Sequence, residues 1–344
     1  MHTVPRRIWR VLALVAVVAA PLEAQVRYDA PGTRVEILGL ERWTRRMLED
    51  SIAHYAPGQT LASAACMATL KEKLKFGDAL VAHYQGFKGP NSDARFLSVR
   101  VVEPSRTAAS MWRKLPADAY PSLLPAYAPV ILPVTDEDGG IWPGRLFFGL
   151  QFSDSAVRTR ILAQEDSTTQ ADYARISGFL ETHRAESDRQ RALRVLDSSS
   201  AYGNRMAAAL LLLNFPANDS TWYALVRALR DPHESVRSAA GIALDRLPRR
   251  PVNWAPVTTD LRALLGGANL AAMETVMSLL ADTKVAPALT RALLYGNDAW
   301  TMRLLTAEAP MAPQKAKGLL VALNGGTDLG KQPGPWRAWI ASRR

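Results

Sequence analysis

One cysteine in 344 residues, Cys66, leaves no intramolecular disulfide and no multi-cysteine metal site. It lies in the helical pattern ASAACMATL, where a small buried apolar residue is expected. The five histidines never adopt H-x-x-x-H or H-E-x-x-H spacing, so the sequence has no zinc signature. There is also no G-x-S-x-G elbow, no phosphate-cradling glycine loop and no S-x-x-K, which removes the readily recognised hydrolase and nucleotide-binding classes. No metal or cofactor site is expected. Two carboxylates meeting only in space would leave no such trace, so a carboxylate-based envelope enzyme stays open as an alternative.

Long apolar runs are missing too. The longest, Val11 to Ala20, has ten residues, where a membrane-spanning helix needs about twenty. Arg6, Arg7 and Arg10 precede it, and Leu22-Glu23-Ala24 supplies a small-residue exit. This is the pattern of a Sec-type signal peptide, residues 1–24, with cleavage expected after Ala24 and a periplasmic or secreted mature chain. An uncleaved signal that anchors an adaptor to the membrane is the alternative.

Runs of like charge are absent, yet the formal net charge is +10. The excess is uneven: residues 186–344 hold 20 basic against 13 acidic side chains. Such a field favours an acidic protein partner; nucleic acid would fit the charge but not an exported compartment.

The chain first reads as a small α+β layer. Residues 34–40, RVEILGL, alternate as a strand, and Trp43, Met47, Leu48, Ile52 and Tyr55 follow at helical spacing. Pro57-Gly58 closes that helix, a second is expected from about Thr60, and ALVAHYQGF and RFLSVRVVE read as two strands. The V-E-I-L-G-L opening, the P-G-x-x-L between helices and the closing R-F-L-S-V-R-V-V-E resemble a POTRA domain, over residues 34–104. The resemblance implies a periplasmic protein-binding module with a three-stranded sheet whose edge accepts a partner's strand. Residues 105–155 are proline-rich and read as a β-rich extension with an acidic turn at 136–140. Residues 156–186 read as a linker with lead-in helices, across which few contacts are expected.

From residue 187 the sequence repeats. Arg237, Ala240 and Leu244 recur 32 residues earlier as Arg205, Ala208 and Leu212. Val236 starts the apolar face of the later copy, and Asp231-Pro232 makes the turn and is expected to start the second helix, where Pro loses nothing because first-turn N–H groups are unpaired. Leu193, Leu225, Leu261, Leu289 and Leu320 mark the preceding helices at intervals of 32, 36, 28 and 31 residues. A drifting period near thirty is what stacked helix pairs produce. The unit 219–247 resembles a HEAT repeat of the phycobilisome-lyase-like group, which implies an all-α solenoid over 187–326. In such repeats Asp231, Arg205 and Arg237 would be structural and pair between layers. Residues 327–344 read as a capping tail in which Trp336 and Trp339 cover the last repeat; docking on a membrane surface is the alternative use. The expectation is a multidomain binding scaffold of the cell envelope, without catalysis.

Overall fold

A computed structural model of the chain describes residues 25–63, 66–86, 93–104, 111–115, 119–131 and 155–343. The expected signal, the acidic turn and most of the expected β-rich extension lie outside the described residues.

The first half is a four-stranded mixed sheet rather than the expected three strands. β1 (Gln25–Ala30) and β2 (Thr33–Leu38) form a hairpin, while β3 (Asp78–Tyr84) and β4 (Arg95–Val102) complete the order β1-β2-β4-β3. β2 and β4 run parallel, with Val35 opposite Leu97 and Ile37 opposite Val99; the other two pairings are antiparallel. β1 therefore covers the side of β2 that a three-stranded sheet would leave free. A parallel pair needs a helical crossover. α1 (Arg45–Tyr55) begins that crossover with Thr44 as its cap, the hydroxyl accepting the Met47 N–H at 3.2 Å. The second helix starts later than Thr60: residues 60–63 form a turn, and α2 (Cys66–Ala68) runs into a π-turn over Thr69–Lys73. Leu48, Ile52, Cys66 and Leu70 pack on Val35, Ile37, Leu97, Val99 and Val101, so one sheet face is a closed apolar core. Burial pushes the Cys66 thiol up to about 11, as suits an inert core residue.

Within the described parts of 105–155 there is no strand; α3 (Ala128–Ile131) is the regular element there. α4 (Ser155–Leu162) and α5 (Ser167–Thr182) follow, and Asp166 caps α5 by accepting from Thr169 N–H at 2.8 Å.

The second half is helical throughout the described residues. α6 (Glu186–Ser198), α8 (Asp219–Ala228), α10 (Thr258–Ala263) and α12 (Thr290–Leu294) form one layer. α7 (Tyr202–Leu211), α9 (Glu234–Arg246), α11 (Met273–Asp282) and α14 (Ala312–Leu323) form the other, each packed on the next. Ala208, Ala239, Ala240 and Ala243 are fully buried, which lets α7 and α9 approach closely. The fourth unit breaks the pattern, because α13 (Ala299–Leu305) intervenes and Leu320, the last of the spaced leucines, falls on α14 in the second layer. α15 (Pro333–Ser342) packs on α12 and closes the array, with Trp336 buried and its Nε1 donating to Gly330 O at 2.9 Å. A membrane-surface use of Trp336 would require α15 to leave that core.

Few contacts between the halves were expected, and the opposite is found. The second sheet face, which carries Glu36, Leu38, Phe96, Ser98, Arg100 and Val102, lies against the helices and is buried. Glu36 accepts from Gln25 Nε2 at 2.6 Å, Arg27 Nε at 3.1 Å and the Glu308 amide at 2.9 Å. Arg100, 2% exposed, pairs with Glu274 of α11, and Arg303 of α13 pairs with Glu41 at 3.0 Å. Trp300 of α13 is wedged between two glycines, one from each half. A Cβ at Gly39 would lie 2.9 Å from its ring, and one at Gly267 would lie 2.6 Å from its Nε1.

Candidate binding surface

Of the residues singled out from the repeats, Arg205, Asp231, Pro232 and Arg237 meet at the turns within the helix pairs α6–α7 and α8–α9. Asp231, fully buried between α8 and α9, receives a bidentate fork from Arg205 at the start of α7, at 2.8 and 2.9 Å. Arg205 also donates to the carbonyls of Ser199 and Ser200, in the turn between α6 and α7. The Arg205–Asp231 pair thus ties one repeat unit to the next. Arg237 serves its own turn instead, donating to Asp231 O at 2.8 Å and Pro232 O at 3.1 Å. Pro232 precedes the helix: His233 caps α9, stacked on Tyr202 with ring centroids 3.6 Å apart. Ala208, Leu212, Val236, Ala240 and Leu244 are core residues with no exposed surface.

Burial alone would raise the Asp231 carboxyl, but hydrogen bonds from Arg205 and the nearby Arg113 charge hold it below the ordinary aspartate value. Burial lowers Arg237, and it lowers His233 as well.

Across these turns lies a segment that repeat reasoning missed. Arg113 donates to Asp231 Oδ2 at 2.8 Å and to Asp197 at 3.1 Å, and its backbone N–H donates to Arg230 O at 2.7 Å. The Trp112 ring lies under the Arg237 guanidinium at 4.2 Å. Arg230 Nε returns a bond to Met111 O at 3.0 Å. Further along, Asn204 reads backbone in both directions: its Nδ2 donates to Ser122 O and its Oδ1 accepts Leu124 N–H, each at 2.8 Å. Ser199 Oγ donates to Tyr120 O at 2.6 Å, and Ala119 N–H donates to Ser198 O at 3.1 Å. A Trp-Arg dipeptide in a proline-rich stretch was the available sequence signal for this contact.

The chain matches no family model, no curated protein and no solved structure.

A second feature joins the halves beside Arg237. A cleft of about 370 Å³ is lined by Lys71, Asp78, Glu234, Arg237, Asp245 and Asn269 among others. Burial raises the Asp78 carboxyl above its usual range, and Lys71 at 3.4 Å partly offsets this. Both Asp78 oxygens are already engaged, one by Ala79 N–H at 2.9 Å and the other by Leu270 N–H at 2.8 Å. That makes Asp78 a bracket between sheet and helices and a poor candidate for acid–base work. Among the described residues no group of three or more His, Cys, Asp or Glu could hold a metal ion. Among them, too, no helix is long and apolar enough to cross a membrane.

Proposed function

We propose that this protein is an exported, non-catalytic binding scaffold of the cell envelope, built from a HEAT-type array that carries a POTRA-like unit on its side. The observation that supports this most is the treatment of residues 119–124. Array side chains grip an irregular stretch of chain through its backbone, which is how a surface binds peptide without demanding one side-chain sequence. From β2 onward the order is strand-helix-helix-strand-strand with β2 and β4 parallel, which fits the POTRA-like reading, while β1 is an addition to it. Small residues between layers fit the HEAT reading. The basic excess of the array directs its outer surface toward an acidic partner.

A photo-crosslinking amino acid placed in turn at exposed array positions and in the Lys71–Asp78 cleft tests this in the native envelope. The scaffold reading expects one discrete protein adduct, shared by neighbouring array positions. An array that gives no adduct at any position, in protein that keeps its native circular dichroism, would overturn it.

A further inference from the structure

Resting on the scaffold reading, we infer that the turns of α6–α9 form a recognition site for a peptide carrying a tryptophan–arginine pair, filled in this structure by the chain's own residues 111–115 and 119–124. Three features make it a site. The arginine pocket has directed acceptors: Asp231, Asp197 and the Leu196 carbonyl surround the Arg113 guanidinium. The carboxylate at its base is satisfied without the ligand, because Arg205 holds both Asp231 oxygens. An emptied pocket therefore leaves no orphaned buried charge, as a reversible site requires. Finally, Asn204 and Ser199 hold main-chain atoms of the occupant, so a chain of other sequence in the same register can replace residues 119–124.

The specificity is opposite to that of the basic outer surface: the local carboxylates select a cation and the Arg237 face selects an aromatic ring against it. Because the native segment is covalently attached, it competes at high effective concentration, and a partner peptide engages only when that segment is displaced.

The test uses the full mature chain and a fluorescent peptide of residues 111–131. Trp112→Ala/Arg113→Ala weakens the attached segment but keeps the Arg205–Asp231 pair. This variant should bind the peptide at least about tenfold more tightly than the unaltered chain does. Binding should drop again on adding Asp197→Ala, whose side chain is 45% exposed and so tolerates replacement. A peptide with Arg113→Gln should compete poorly. If the double variant keeps its native circular dichroism and ignores the peptide, or binds the glutamine peptide equally well, the site is not a recognition site. If sedimentation shows the unaltered chain as a dimer exchanging this segment, the occupant is a second copy and the inference as stated falls. Each of these failures leaves the envelope crosslinks unchanged, so the scaffold reading is judged separately.

Discussion

Replacing Asp231 with alanine would leave the Arg205 guanidinium, only 2% exposed, without a counter-charge beside Arg113, which would keep Asp197. Uncompensated buried charge of this kind costs about 3–5 kcal/mol, so Asp231→Ala should lower the urea midpoint far more than Arg113→Ala does. The pH dependence has a definite sign. The folded-state carboxyl of Asp231 lies below its unfolded value near 3.9, so its contribution is complete above about pH 5 and is lost as pH falls through the lowered value. Denaturation of the parent and of Asp231→Asn should therefore differ at pH 6 and converge as pH falls through the lowered value. Convergence on the alkaline side instead would contradict the pairing. Gly39 presents a different constraint: its φ is +98° and an added Cβ would meet Val101 O at 2.0 Å. Gly39→Ala should cost at least about 2 kcal/mol in thermal or chemical unfolding, since strand backbone, and not a flexible side chain, must move.

Neighbouring positions on α9 behave oppositely because the helix has a tight face and an open one. Ala240 has no exposed surface on a helix packed against α7, so Ala240→Leu should overpack the core and cost about 1–3 kcal/mol. At Gly241 an added Cβ meets nothing closer than Leu229 Cδ2 at 3.8 Å, so Gly241→Ala should stabilise by up to about 1 kcal/mol through helix propensity. Equal losses at both positions would refute the layer assignment. In the sheet, β4 is bonded on both sides, so Val99→Pro removes a ladder donor from a central strand and should abolish native circular dichroism.

For the whole molecule, the buried second face of the sheet joins the halves energetically. Glu274→Ala leaves Arg100 buried without its partner, and the damage lies on the shared interface. Calorimetry should show a single transition that moves down as one, and hydrogen exchange on Ala240→Leu should report lost protection in β2 and β4 as well as in the helices. Protection retained in the strands would restore the picture of two independent modules. Export has its own check. N-terminal sequencing of the envelope form should begin at Gln25, the first residue of β1, whose amide donates to Glu36 at 2.6 Å.

Much of the fold could be read from periodicity alone. Alternation in RVEILGL and RFLSVRVV placed strands correctly, because one sheet face had to be continuously apolar to cover α1 and α2. The R-x-x-A-x-x-x-L recurrence located α7 and α9, since close helix approach demands small residues at fixed spacing. What the sequence could not show was the fate of the polar positions between them. Glu36, Ser98 and Arg100 look like a solvent face by pattern, and only the tertiary structure reveals that the Glu308 backbone N–H arrives to satisfy Glu36 and the Glu274 carboxylate to pair Arg100, each from more than 170 residues away. The same holds for Arg113. Its local sequence carries no period, and its meaning depends on where Asp197 and Asp231 stand in the folded array. Local periodicity specifies which face of an element is apolar; the partner of a polar face is chosen by long-range geometry, because a charge is indifferent to sequence distance once it is desolvated beside its counter-charge.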